Sequence, residues 1–337
     1  MTRGRMVLLA VIGVLCFVVA AGYFVYARSA VTAPAAATPV PTIAVAAALA
    51  APHLVFRNSA LGADYGKLAL VPLADPAGPR AVVGDVSCAR VYAAPRAGVC
   101  VTASRGMTPS YGVSMLDDAL RPTTSTVLTG EPSRARMSAD GRLVSTTTFV
   151  TGHSYASTSF STSTIIREDG RALGNLETWR TTLPDGSDLR ALNRNFWGVT
   201  FAADDDTFYA TAASGSTTWL VRGSIRARTM TALRTDAECP SLSPDGTHVA
   251  YKKRLGNATP GVWRLAVLDL ATSRETLLAE TRSVDDQVEW LDRSSVLYAL
   301  PRTGTEATTT DVWEVPADGL GTPTVLVPQA SSPAVVR

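Results

Sequence analysis

The chain has 337 residues, of which 46% are hydrophobic and 18% charged, with a formal net charge of +2. That is apolar mass enough for one large domain or two ordinary ones. The near balance of charge excludes a partner chosen by bulk electrostatics, so neither nucleic acid nor a strongly acidic surface is expected.

Arg3 and Arg5 precede an uncharged apolar run, 6–27, that carries Leu8, Leu9, Val11, Ile12, Phe17 and Phe24. As a helix, about 22 residues cover roughly 33 Å at 1.5 Å per residue, enough for the hydrocarbon core of a bilayer. Tyr23 and Tyr26 fall where an interfacial aromatic belt would lie, and the leading arginines favour a cytoplasmic N-terminus. The competing reading is a cleaved export signal, for which the run is long and Ala33–Ala37 would be the permissive site. Both readings export the body of the chain. The retained-anchor reading gives a cytoplasmic stub at 1–5, a single transmembrane anchor at 6–27, an Ala/Pro-rich linker at 28–51 and a folded domain at 52–337, outside the cytoplasmic membrane. Pro34, Pro39 and Pro41 suit an extended linker. The apolar stretch Ile43–Ala51 is too short to span, and it is either linker or a first strand docked on the domain.

Leu54–Arg57, Lys67–Pro72 and Ala81–Val83 read as three strands with no fourth before them. Ser87–Tyr92 and Gly98–Thr102 form a hairpin carrying Cys88 and Cys100. These are either a cross-strand disulfide, suited to an exported chain, or two buried free thiols. Cys16 lies in the apolar run, and Cys239 reads as a small buried hydrophobe. Ser133–Thr146 places the turn Asp140-Gly141 between two strands. Thr164–Glu168 and Leu176–Thr181 are read as later strands of that unit. Val199–Ala210 turns at Asp204-Asp205-Asp206, Pro240–Tyr251 at Ser243-Pro244-Asp245-Gly246, and Val288–Ala299 at Asp292. Proline at the first corner, then Asp-Gly, suits a tight turn. A Trp or an apolar run recurs in third strands, at Trp219, Trp263 and Trp313. Apart from one wide gap, the turns recur at roughly 40–50 residues, the spacing of four-stranded propeller blades. Pro333–Arg337 is a spare strand that completes the first, three-stranded unit and removes its open edge.

The copy Ser241-Leu242-Ser243-Pro244-Asp245-Gly246-Thr247-His248-Val249-Ala250-Tyr251 resembles the repeat of TolB-like and other WD-repeat-related β-propellers. In that repeat an aromatic-Ser-Pro-Asp-Gly element opens each blade. Leu242 and Met137 stand where the aromatic usually is, and Asp-Gly is lost from the other copies. The resemblance runs from Leu54 to the end of the chain. Together with the strand count, it implies an all-β protein, a six-bladed β-propeller of four-stranded antiparallel blades; the apolar run at 6–27 adds one N-terminal transmembrane helix before it. Five or seven blades result if the Ser/Thr-rich region conceals part of another unit.

Propeller topology sorts the loops. The Ser-Pro-Asp-Gly turns share one rim, and the longer loops Ser104–Ser110, Gly152–Ser163, Lys252–Gly261 and Pro301–Thr310 share the other. Loops on a rigid scaffold commonly carry binding. The rim candidates are Arg105, Tyr111, His153, Tyr155, Lys252, Lys253, Arg254 and Arg302, with Phe160 as a further exposed aromatic; the bland alternative is solvated loops. Inner strands aim Arg90, Arg134, Arg136, Cys239 and Glu289 at a central channel, where arginines suit a carboxylate or phosphate. His53, His153 and His248 have no metal-ligand spacing, and Gly-x-Ser-x-Gly is absent. No Gly-rich phosphate loop is present, and Asp204-Asp205-Asp206 reads as a solvated turn. No catalytic residue, metal or cofactor is therefore expected. The expected function is non-catalytic binding of another envelope protein, with the membrane contacted through the N-terminal helix. The alternatives are an exported hydrolase or lyase, or a carbohydrate-binding module, with a site in the channel.

Overall fold

A computed structural model describes residues 3–32, 40–104, 108–152, 154–155, 160–255 and 261–337. The chain divides into two units, one of Met1–Pro39 with Leu61–Ala63, the other of Val40–Ala60 with Asp64–Arg337. The first contains helix α1, Arg3–Thr32. The side chains described in α1 are those of 4–5 and 11–24, and they are exposed. Among the described residues no helix is long and apolar enough to cross a membrane. The sequence-based anchor, 6–27, lies within α1, and the linker, 28–51, includes residues 33–39, which lie outside the described residues.

Among the described residues, the second unit is all β apart from one short α-helix and two 3-10 turns. Blade 1 contains β1 (His53–Asn58), β2 (Lys67–Pro72) and β3 (Ala81–Ser87). Blade 2 is β4 (Arg90–Ala94), β5 (Ala97–Ser104), β6 (Ser110–Leu116) and β7 (Pro122–Val127). Blade 3 is β8 (Glu131–Met137), β9 (Leu143–Thr151), β10 (Ser161–Glu168) and β11 (Arg171–Asn175). A short strand, β12 (Arg180–Thr182), then pairs parallel with the outer strand of blade 4, which is β13 (Asn195–Phe201), β14 (Thr207–Ser214), β15 (Thr217–Ser224) and β16 (Thr229–Thr235). Blade 5 is β17 (Ala237–Leu242), β18 (His248–Arg254), β19 (Trp263–Asp269) and β20 (Glu275–Leu277). Blade 6 is β21 (Glu289–Trp290), β22 (Ser295–Pro301), β23 (Thr310–Pro316) and β24 (Thr324–Val327). The last strand, β25 (Ala330–Val336), pairs antiparallel with β1, from His53–Val336 to Asn58–Ala330. It becomes the innermost strand of blade 1, in the sheet order β25-β1-β2-β3. The six-bladed count and the closing strand are as the sequence implied.

Two corrections follow. Leu176–Thr178 is a 3-10 turn rather than a strand, capped by the Asn175 side chain, which accepts from the Glu177 N–H. The open choice at Ile43–Ala51 resolves as helix α2, Val45–Leu49, whose Ala48 is buried in the apolar layer of blade 1. Beside it, Thr42 bridges Arg80.

The turns repeat because one aspartate organises each. Asp245 Oδ1 accepts from the Ser243 hydroxyl, the Thr247 hydroxyl and the Thr247 N–H at 2.7–3.1 Å. Asp140 Oδ1 accepts from the Ser138 hydroxyl and the Arg142 N–H. Asp292 Oδ1 takes the Ser294 and Ser295 N–H groups. Asp204 does the same for Asp206 and Thr207, with Asp205 at φ 54° in the place of the glycine. A short carboxylate that bonds its own backbone holds such a turn without glycine.

A blade is a sheet with two faces to bury, and each neighbour supplies the cover. Separate apolar layers fill the seams. Val55 and Leu70 meet Val91 and Leu116; Val99 and Val101 meet Met137 and Val144; Ile166 and Leu176 meet Phe196 and Phe208. Leu220 then meets Val249 and Tyr251, Val267 meets Trp290 and Tyr298, and Leu297 and Val312 return to Leu54 and Phe56. The last of these layers needs β25, because Ala330 belongs to it. Truncation after Gln329 is therefore expected to abolish the cooperative thermal transition, and a synthetic 330–337 peptide to restore it. Near-ultraviolet circular dichroism melts read both, and a truncated chain that melts as before would show that β1 does not need its partner.

Candidate functional site

The inner strands β25, β4, β8, β13, β17 and β21 contact one another in turn around the axis. Their close approach has a local signature at Gly198 of β13. It sits at φ 66°, and a Cβ there would lie 2.6 Å from the Cα of Cys239 on β17. Only glycine fits that position without strain.

The sequence-predicted channel residues Arg90, Arg134, Arg136 and Glu289 do converge, but each is already partnered. Arg136 pairs with Glu289, both nearly buried, and also donates to the Ser241 hydroxyl (3.0 Å) and Val288 O (2.6 Å). Its guanidinium lies 4.5 Å from the Tyr92 ring centroid, and the Tyr92 hydroxyl donates to Glu289 Oε1. Gln287 Nε2 reaches the carbonyls of Val199 and Pro240, tying blades 4 and 5 to blade 6. Above this layer Arg90 pairs with Asp286 at 3.2 Å, and Arg134 with Asp285 at 3.4 Å. The axis is thus crossed by a polar plug in which burial is offset by pairing.

Lys252 and Tyr155 were expected on exposed loops, and both are buried. Lys252 is on β18, with Nζ 2.6 Å from Asp285 Oδ1, 3.8 Å from Glu238 Oε2 and 3.9 Å from the Trp263 ring centroid. Tyr155 stacks on Trp197 at 4.8 Å and shares a hydrogen bond with Ser133, in a cluster with Phe149 and Phe160. Among the described residues, the remaining cations of the expected rim are neutralised internally. Lys253 pairs with Glu275, Arg254 with Glu238, and Arg302 with Asp311 and Glu306. Arg105 and His153 lie outside the described residues. Cys88 and Cys100 form a disulfide across the hairpin, Cα atoms 5.4 Å apart, and Cys239 is a buried free thiol.

Over the plug, on the long-loop rim, opens a bowl of about 1120 Å³. Its wall includes Tyr65, Tyr111 and Tyr155, and its floor Arg90, Arg134 and Asp285. Asp285 is the residue that sequence reading missed. Its side chain is 46% exposed; Oδ1 takes both Lys252 and Arg134, and Oδ2 has no partner among the described residues. Burial works against the carboxylate, but the adjacent Lys252 and Arg134 charges prevail and bring its pKa down to about 2. It is a fixed, ionised acceptor facing open space. The signal was the polar run Asp285-Asp286-Gln287 ahead of inner strand β21. Among the described residues, no group of three or more His, Cys, Asp and Glu side chains is arranged to hold a metal.

The chain matches no family model and no curated protein. Its structure is similar to that of TolB from Acinetobacter baumannii, at 16% identity, covering 85% of this chain and 67% of that one, with a TM-score of 0.56. The fold is TolB-like. A putative TolB from Agrobacterium tumefaciens aligns at 11% identity over 83% and 90% of the two chains, TM-score 0.47. A chain of a nidogen–laminin complex aligns at 13% over 85% and 97%, TM-score 0.49. Identities this low speak to fold alone.

Removing one member of a buried ion pair strands the other. Glu289→Ala is expected to cost about 3–5 kcal/mol, whereas the double change Arg136→Met with Glu289→Leu recovers most of it. Urea denaturation of the single and double variants measures the coupling; additive losses would mean the pair is not a unit.

Proposed function

We propose that this protein is a non-catalytic recognition module whose partner, another protein of the cell envelope, seats a chain segment in the bowl on the long-loop rim. In this reading residues 6–27 anchor the chain in the cytoplasmic membrane, 28–51 form the tether, and the propeller faces outward.

The observation that carries the reading is Asp285. A carboxylate held ionised by two cations, with one oxygen that has no partner among the described residues, at the base of a wide aromatic-walled bowl, suits a basic or hydrogen-bond-donating group on a protein surface. Preorganised charge of this kind gives specificity and orientation. The tyrosines Tyr65 and Tyr111 supply contact area at low entropic cost, as recognition surfaces commonly require. The apolar run at 6–27 with its leading arginines supports the membrane placement.

The alternative of a hydrolase, a lyase or a carbohydrate-binding module working in the channel rests on Arg90, Arg134 and Arg136. There an anionic ligand has to displace a carboxylate already in place, at Asp286, Asp285 and Glu289 respectively. That competition favours the rim over the channel.

A photo-crosslinker placed at Tyr111 is expected to trap one defined envelope partner, and Asp285→Asn to reduce the yield about tenfold. Leu320→Arg, at an exposed residue in the β23–β24 turn, is expected to leave it unchanged. Matching melting curves establish that the variants are folded. Trapping that is indifferent to Asp285 removes the bowl from the interface.

A further inference from the structure

A second cavity, of about 520 Å³, lies at the seam of blades 3 and 4 and takes no part in the bowl. Its lining includes Ser161, Thr162 and Ser163 of β10, with Asn175 at the end of β11, Glu177 from the 3-10 turn that follows, and Arg194 from the segment entering β13. Two apolar side chains stand at its edge: Val150 is half exposed and Leu192 fully exposed.

Glu177 is largely buried, yet among the described residues it has no ion-pair partner. Its support is thin. Oε2 accepts the Thr164 N–H at 3.3 Å, and Oε1 faces the Thr162 hydroxyl at 3.3 Å. That hydroxyl has a nearer acceptor in Phe196 O at 3.0 Å. Arg194 is the only other charged residue among those lining the cavity, and it is committed elsewhere. Its Nε donates to the backbone carbonyl of Glu177 at 2.8 Å, and Nη1 to Ala191 O at 3.0 Å. Strand β10 offers Glu177 only Thr162 and Thr164; β13 adds the Phe196 N–H and contains no titratable residue, and the Glu177 N–H also faces its own carboxyl. Desolvation, against these few hydrogen bonds, pushes the Glu177 carboxyl up to about 7.

An unpaired acid in such a place costs stability as it ionises. A cation delivered into the cavity removes that cost. The hydroxyl and amide oxygens around the acid suit the three donors of an ammonium, and Val150 and Leu192 suit an alkyl stem. We propose that this seam is a binding site for a primary alkylammonium group, with Glu177 as its counter-ion. The same group is carried by a free aliphatic amine and by a lysine side chain of a protein.

Calorimetry on the purified full chain tests this, with n-butylammonium and a blocked Ala-Lys-Ala peptide as probes. Because the free acid is about half protonated at pH 7, binding is expected to release about half a proton per site there, read from two buffers of different ionisation enthalpy. Affinity is expected to rise about tenfold from pH 6 to pH 8, as the carboxylate becomes available. Glu177→Gln is expected to lose both the binding and the proton release. The folded acid binds more protons than the unfolded one between pH 4.5 and about 7, so the parent chain loses stability as pH rises through that window. Glu177→Gln lacks that loss, which confirms independently that the variant is folded and that the acid titrates where expected. The tighter of the two probes identifies the source of the group. No saturable binding of either, binding without proton release, or equal binding to the Gln variant overturns the proposal.

Discussion

Pairing of β1 with β25 is the contact on which the rest of the propeller depends. Each blade is a four-stranded sheet that leaves both faces in need of cover, and no blade can bury more than it is offered by its neighbours. A ring satisfies every face, an open arc does not. The seam between blades 6 and 1, where Leu297 and Val312 meet Leu54 and Phe56, exists only because the last strand brings the two ends of the repeat together. The inner strands then lie close enough to share side chains across the axis, and the bowl inherits its floor from that closeness.

The axis shows how such a ring handles the charge it gathers. Inner strands must present something to the centre, and here they present cations and carboxylates in matched pairs rather than an open pore. Pairs of this kind add little net stability over apolar packing, but they penalise any arrangement that separates them. Asp285 belongs to both worlds. One oxygen joins Lys252 of blade 5 and Arg134 of blade 3, and the carboxylate lines the bowl, so the same residue ties the plug together and offers a contact to a visitor. Glu177 is the contrasting case, an acid without an ion-pair partner among the described residues.

Much of the fold was legible because turn chemistry is local. An aspartate that bonds its own backbone leaves a mark at Asp140, Asp204, Asp245 and Asp292 even where the glycine has gone. The three-strand start and the spare strand at Pro333 announced closure. The site was harder to read. Lys252 followed an apolar strand and preceded a loop, so it was taken as rim charge; yet the alternation that puts Ala250 on one face puts Lys252 on the same face, and that face is buried. Asp285 and Asp286 precede a strand of only two residues, too short to register as a period. Leu176–Thr178 has strand-like composition, and its turn is decided by a cap at Asn175 and by packing against blade 4.

The closing pair also constrains how the molecule is made. Asn58 waits for Ala330, so a ribosome must finish almost the entire repeat array before the first sheet receives its innermost member. Until then the growing polypeptide carries an unsatisfied edge and an oily flank, features that invite pairing with the wrong neighbour. Long-range contacts of this sort are slow to form because so much slack must be taken in. Assembly is thus governed less by the strength of any one blade than by timing, with the nascent array needing shelter until its final strand arrives.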